Sequence, residues 1–212
     1  MIVSGAVAPN EPYTTLDPET HRAAYQTNVI GPLTAVQAFL PALRSAHSNG
    51  EGEKEVVQSK GAKHKAIVLI SSAVSSAALH ADNARKPPKD QLPLNRGPYG
   101  ASKASLNLLG IGLFRELAAE RQAEAEAKDN GQGKGKGEET TLSVLLFHPG
   151  LVRTSMADHF VRKMDALGEQ APFQPITPRQ SADGIMRAVQ KHLADGAGDV
   201  RFLDYEGNEM PW

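Results

Sequence analysis

Ala66-Ile67-Val68-Leu69-Ile70 is an unbroken apolar run with polar residues before it and Ser71-Ser72 after it. Such a run predicts a strand buried on both faces, as in a parallel sheet. Leu142 to Phe147 repeats the pattern and ends at His148-Pro149-Gly150. Val200 to Leu203 predicts a short last strand, and Val3 to Val7 the end of a buried strand running into a small-residue turn.

Between these runs the period changes to that of a helix. Asp17-Pro18-Glu19 is a helix start: Asp17 can cap free amides, Pro18 suits the first position, and Glu19 favours the positive end. Ala24, Val29, Leu33, Val36, Leu40 and Leu43 then predict a helix over 18–44. Asn28 and Gly31 sit mid-pattern and invite a local kink, which leaves a backbone carbonyl free. Leu106, Leu109, Leu113 and Leu117 share one face of a helix over about 99–125. Thr177-Pro178-Arg179-Gln180 is a capping box, and the helix after it presents Ala182, Ile185, Met186, Val189 and Leu193 on one face.

Strands alternating with helices predict one α/β domain over 1–212, with a parallel sheet between two helical layers. Three polar stretches, at about 45–65, 80–98 and 122–139, are predicted surface insertions, and no internal repeat is present. Gly131 to Gly137 alternates glycine with Gln and Lys, but it follows a helix tail and is predicted to be a flexible loop.

Composition narrows the chemistry. The 212 residues are 40% hydrophobic and 22% charged, enough apolar material for a sizeable core. A net charge of −1 gives no electrostatic case for nucleic acid or an anionic membrane. The absence of cysteine excludes disulfides, thiolate metal sites and cysteine nucleophiles, and makes a reducing, cytoplasmic compartment the expectation. The histidines at 21, 47, 64, 80, 148, 159 and 192 show no ligand spacing, so no metal is expected. The opening MIVSGAVA has no basic leader, and no window approaches the roughly 18 apolar residues of a membrane helix.

In open α/β sheets, sites form at the carboxyl ends of the strands. Ser4-Gly5-Ala6, Ser71-Ser72 and Pro149 to Thr154 follow the predicted strands and would share one edge. Tyr99 and Lys103, four apart, lie on one helical face. An ammonium near a phenol favours the phenolate and lowers a pKa that starts at about 10. A tyrosine tuned this way can pass a proton near neutral pH.

Asn28-Val29-x-Gly31, Ile70-Ser71-Ser72, Tyr99-x-x-x-Lys103 and Pro149-Gly150-x-Val152-x-Thr154 occur in one order, each at the expected strand or helix end. This arrangement resembles the short-chain dehydrogenase/reductase family over nearly the whole chain outside the insertions. The ending, Arg201 to Gly207 and Pro211-Trp212, resembles the carbonyl-reductase and C-factor-like branch that includes fungal ketoreductases.

The resemblance implies a Rossmann-like three-layer fold and reduction of a ketone or aldehyde, or the reverse alcohol oxidation, with NADP or NAD. NADP is slightly favoured. It implies Tyr99 as general acid and Lys103 as the cation that tunes Tyr99 and holds the nicotinamide ribose. Ser72 would hydrogen-bond the substrate oxygen, with Ser71 and Ser75 as fallback hydroxyls. Asn28 would hold a relay water. Pro149, Gly150, Val152 and Thr154 would line the nicotinamide, and Ser4 and Ala6 the rest of the cofactor. A homodimer or homotetramer through the two long helices is also implied.

Three features depart from the family pattern. No Gly-rich phosphate turn precedes Asn28, so the fold is expected to be N-terminally truncated, with its first strand matching the fourth of the family. On that reading, tight NADPH binding by the 212 residues is not expected. Ser4-Gly5-Ala6 stands where the family has Asn-Ala-Gly, and the 27-residue separation of Ser72 and Tyr99 is long. The rival expectations are a non-catalytic remnant or mis-started gene, and a scaffold or dimerisation module. Pocket residues are expected from 73–98 and 155–175.

Overall fold

The computed structural model describes residues 1–4, 6, 14–44, 64–92, 97–129, 141–196 and 198–212. Four strands, β1 (Ile2–Val3), β2 (His64–Ile70), β3 (Thr141–His148) and β4 (Val200–Asp204), form one sheet in the order β1-β2-β3-β4. Every pairing is parallel, so all four carboxyl ends lie along one edge. Six helices accompany them: α1 (Pro18–Tyr25), α2 (Gly31–Arg44), α3 (Ala77–Ala84), α4 (Gly97–Asp129), α5 (Asp158–Leu167) and α6 (Pro178–Asp195).

Alternation along the strands builds two cores. Ile67, Leu69, Val144, Leu146 and Phe202 face Val36 of α2 and Leu106 and Leu117 of α4. Ala66, Val68, Leu145, Phe147 and Leu203 face Ile185 and Val189 of α6. The central strands are apolar over 66–70 and 144–147 because both faces are covered there. This is the expected three-layer α/β arrangement.

The predicted kink is present in a specific form. Gln26–Ile30 is a π-helical turn between α1 and α2, with the Gly31 amide donating to the Gln26 carbonyl five residues back. The widened turn carries Asn28 and Val29 into the interior. One helix over 18–44 is therefore two.

Several boundaries differ from expectation. The first strand is Ile2–Val3 rather than a buried run over 3–7: it pairs only with β2, and Ile2 is 52% exposed. Strand β2 begins at His64, inside the predicted 45–65 insertion, whose residues 45–63 lie outside the described residues. The predicted irregular stretch 80–98 contains most of α3, because the Ser76 hydroxyl accepts from the Leu79 amide and caps it. Pro98 enters the first turn of α4, where a missing N–H costs nothing. Helix α4 runs on to Asp129, into the predicted 122–139 insertion. Gly131 to Gly137 lies outside the described residues.

The region 155–175 holds α5, in which Val161 and Met164 are buried. The capping box of α6 is formed in both directions. Its buried face, however, carries Ser181, Gly184, Ile185, Val189 and His192, while Met186 is exposed. Small and polar residues face inward there because the Ser181 hydroxyl donates to the Pro149 carbonyl at 2.6 Å and His192 Nε2 lies 2.9 Å from Ser143 Oγ.

Candidate active site

Helix α4 assembles the site. Its first turn lies on the 3₁₀ turn Ala73–Ser75 that follows β2. A Cβ at Gly100 would sit 3.0 Å from the Val74 carbonyl oxygen, so glycine permits the contact. This brings Lys103 to the end of β2.

Lys103 is 1% exposed, and its ammonium donates to the Ile70 carbonyl, the last of β2, at 2.8 Å. Nζ lies 5.9 Å from the centre of the Tyr99 ring. Burial pushes the Lys103 pKa down to about 8. With a pKa of about 8 the group carries its charge at pH 7.

Asn28 is fully buried, and its side-chain amide donates to Ser102 Oγ at 2.9 Å. Ser102 in turn donates to the Tyr99 carbonyl at 2.8 Å. The π turn is thereby fixed to the first turn of α4. Ser102 escaped sequence reasoning because a serine inside a helix is common. Its signal was position: it lies one turn from Tyr99 on the Asn28 side.

Ser71 and Ser75 face inward. Ser71 Oγ donates to Asn107 Oδ1 at 2.5 Å, and Ser75 Oγ donates to the Ser72 carbonyl at 2.6 Å. Both hydroxyl protons serve internal partners, which weakens these two serines as substrate donors. Ser72 lies between them, where the chain leaves the sheet in an extended conformation.

After β3, Gly150 adopts φ 82°, and a Cβ there would lie 2.8 Å from Ile176 Cδ1. Val152 bridges Ile176, and the Arg153 amide donates to the Ile176 carbonyl at 2.8 Å. Thr154 is exposed beside a cleft of about 380 Å³, lined also by Ser155, Asp158, Val161, Arg162 and Asp165. Arg153 closes one side with a bidentate pair to Asp165 at 2.7 and 2.8 Å. Ser4 and Ala6 are exposed at the end of β1, on the same sheet edge. His148, which sequence reasoning did not use, ends β3 opposite Asp204. Burial pulls its pKa down to about 4, against the opposing pull of Asp204, so its imidazole is neutral at pH 7.

An uncharacterized oxidoreductase of Saccharomyces cerevisiae is 30% identical over 190 residues, covering 87% of this chain and 54% of the yeast protein. A short-chain dehydrogenase of Pyricularia oryzae is 26% identical over 203 residues, 96% of this chain and 61% of its own. A carbonyl reductase structure from Pseudomonas aeruginosa covers the whole chain at 26% identity, with a TM-score of 0.57. The chain is thus similar to short-chain dehydrogenases and to carbonyl reductases. It spans between about half and two-thirds of the length of these relatives, 65% of the Pseudomonas chain. No protein-family model matches it. The parallel sheet with helices on both faces is the Rossmann-like arrangement, and the Pseudomonas structure superposes on the whole chain. Among the described residues, no helix is long and apolar enough to cross a membrane.

Proposed function

We propose that this chain carries the catalytic half of a nicotinamide-dependent reductase acting on a ketone or aldehyde. The observation that carries the reading is the buried Lys103 cation beside the Tyr99 ring, on the sheet edge where parallel α/β proteins bind ligands.

The Ser72 hydroxyl donates to the carbonyl oxygen of the substrate. The Tyr99 phenol delivers its proton to that oxygen as the carbonyl carbon is reduced. Lys103 stabilises the phenolate left behind. Donors placed before reaction stabilise developing negative charge without reorganisation. Asn28 secures the turn beneath Tyr99 and keeps a solvent relay to Lys103. When bound, the nicotinamide supplies the hydride. Its ribose is held by Tyr99 and Lys103, and its carboxamide by Val152 and Thr154. The fit is supported by the close backbone at Pro149 and Gly150, a turn whose φ of 82° favours glycine, and by the exposed small residues Ser4 and Ala6. NADP is favoured over NAD because neighbouring carbonyl reductases from Pseudomonas aeruginosa and chicken fatty liver carry NADP or NADPH.

The partner proposed besides the small carbonyl or alcohol is a second copy of the chain, with no role for nucleic acid or membrane. Phe39 on α2 and Leu108 on α4 are 59% and 71% exposed, apolar side chains that a second copy could cover. The cytoplasm is the proposed compartment. The test is carbonyl-dependent NADPH oxidation by the purified protein and by Tyr99→Phe. Loss of turnover in the variant supports Tyr99 as proton donor, and retained turnover excludes it.

A further inference from the structure

Asn107 stands two helical turns beyond Tyr99 and one beyond Lys103 on α4, and it is buried. It touches both ends of the segment that contains Ser72. Its Oδ1 accepts from Ser71 Oγ at 2.5 Å, and its Nδ2 donates to Ser75 Oγ at 2.8 Å. Ser75 passes the constraint on, donating to the Ser72 carbonyl at 2.6 Å. The two serine hydroxyls lie 3.3 Å apart, so the ring of contacts is closed.

We infer that Asn107 is a positioning residue, which sets the backbone at Ser72 relative to Tyr99 by tying the 71–75 turn to the helix that carries Tyr99 and Lys103. The physical basis is geometric. An amide supplies an acceptor and a donor about a helix width from the sheet end, and a buried network with every member satisfied holds one arrangement. An apolar residue of similar size would take away the Ser71 hydroxyl's 2.5 Å acceptor and the donor that Ser75 Oγ receives, leaving the turn untied from α4. Positioning errors near 1 Å are enough to cost a reaction about a hundredfold. The catalytic meaning of this tether rests on the function proposed above, but the tether itself does not.

The experiment therefore has two readouts. In the first, amide hydrogen exchange is followed at Ser75 and Ser76, whose N–H groups bond to the Ser72 and Ala73 carbonyls. Asn107→Leu should speed exchange there about tenfold, while amides of Val68 and Leu145 in the central strands keep their protection. Unchanged exchange at Ser75, or an equal rise throughout the sheet, overturns the inference. In the second, carbonyl reduction by Asn107→Leu should lose kcat about a hundredfold with the KM for NADPH unchanged. A matching loss in KM, or an unchanged kcat, overturns the catalytic part. If the wild-type protein reduces no carbonyl at all, the proposed function fails while the exchange result still decides the tether.

Discussion

Lys103 is the residue on which the chemistry turns, and its burial makes a pH prediction. The ammonium is charged below about 8, where it supports Tyr99, and neutral above. Reduction should therefore fall as pH rises through about 8. Lys103→Arg should move that fall to higher pH, and Lys103→Met should be slow at every pH. A rate profile from pH 6 to 10 decides this, and a wild-type profile flat through 8 would speak against it. Stability runs the other way. The folded pKa lies below the unfolded value of 10.5, so the cost of the buried charge is complete below about 8 and is relieved between there and 10.5. The rate and the stability contributed by this one group should thus diverge over the same window.

At the scale of elements, α4 and the π turn do most of the placing. Gly100 lets α4 rest against the Ala73–Ser75 turn, its absent Cβ leaving 3.0 Å to the Val74 carbonyl oxygen. Gly100→Val should force these elements apart. The expected cost is about 1–3 kcal/mol in denaturant unfolding, with a greater proportional loss of reductase rate. Unchanged stability and rate would mean the two elements have room to spare.

The elements that sequence revealed and those it did not differ in a physical way. The strands over 64–70 and 141–148 were visible because burial on both faces leaves an uninterrupted apolar run. The α6 capping box and the kink at Asn28 were visible because each is local chemistry. Helix α5 was not, because it is only 10 residues long and starts at Ala157 with no side-chain cap to announce it. The Ser71–Ser75–Asn107 network was not, because it joins residues 32 and 36 apart through a fold that polar spacing does not announce. Tyr99, Lys103, Ser72 and Asn28 were named from their order along the chain. What order did not show is how they are held: Lys103 against the Ile70 carbonyl at the end of β2, and Asn28 against Ser102 of α4.

At the scale of the molecule, two cores hold a four-stranded sheet with all its carboxyl ends along one edge. Phe39 on α2 and Leu108 on α4 are exposed. If a second copy covers them, Leu108→Asp should produce a smaller species in analytical ultracentrifugation while the fold is kept. A wild-type protein that sediments as a monomer would remove that role for them.

The central claim is that Tyr99, made acidic by Lys103, protonates a carbonyl oxygen. The most direct measurement compares wild type with Tyr99→Phe at NADPH concentrations high enough to fill a weak site, following single-turnover oxidation of NADPH with a panel of ketones and aldehydes and, in parallel, the thermal shift that NADPH causes at those concentrations. Loss of one positioned proton donor should slow the wild-type turnover by about a hundredfold or more. The thermal shift should remain. Turnover by Tyr99→Phe at the wild-type rate, or a wild-type protein that oxidises NADPH with no carbonyl in the panel, would contradict the claim.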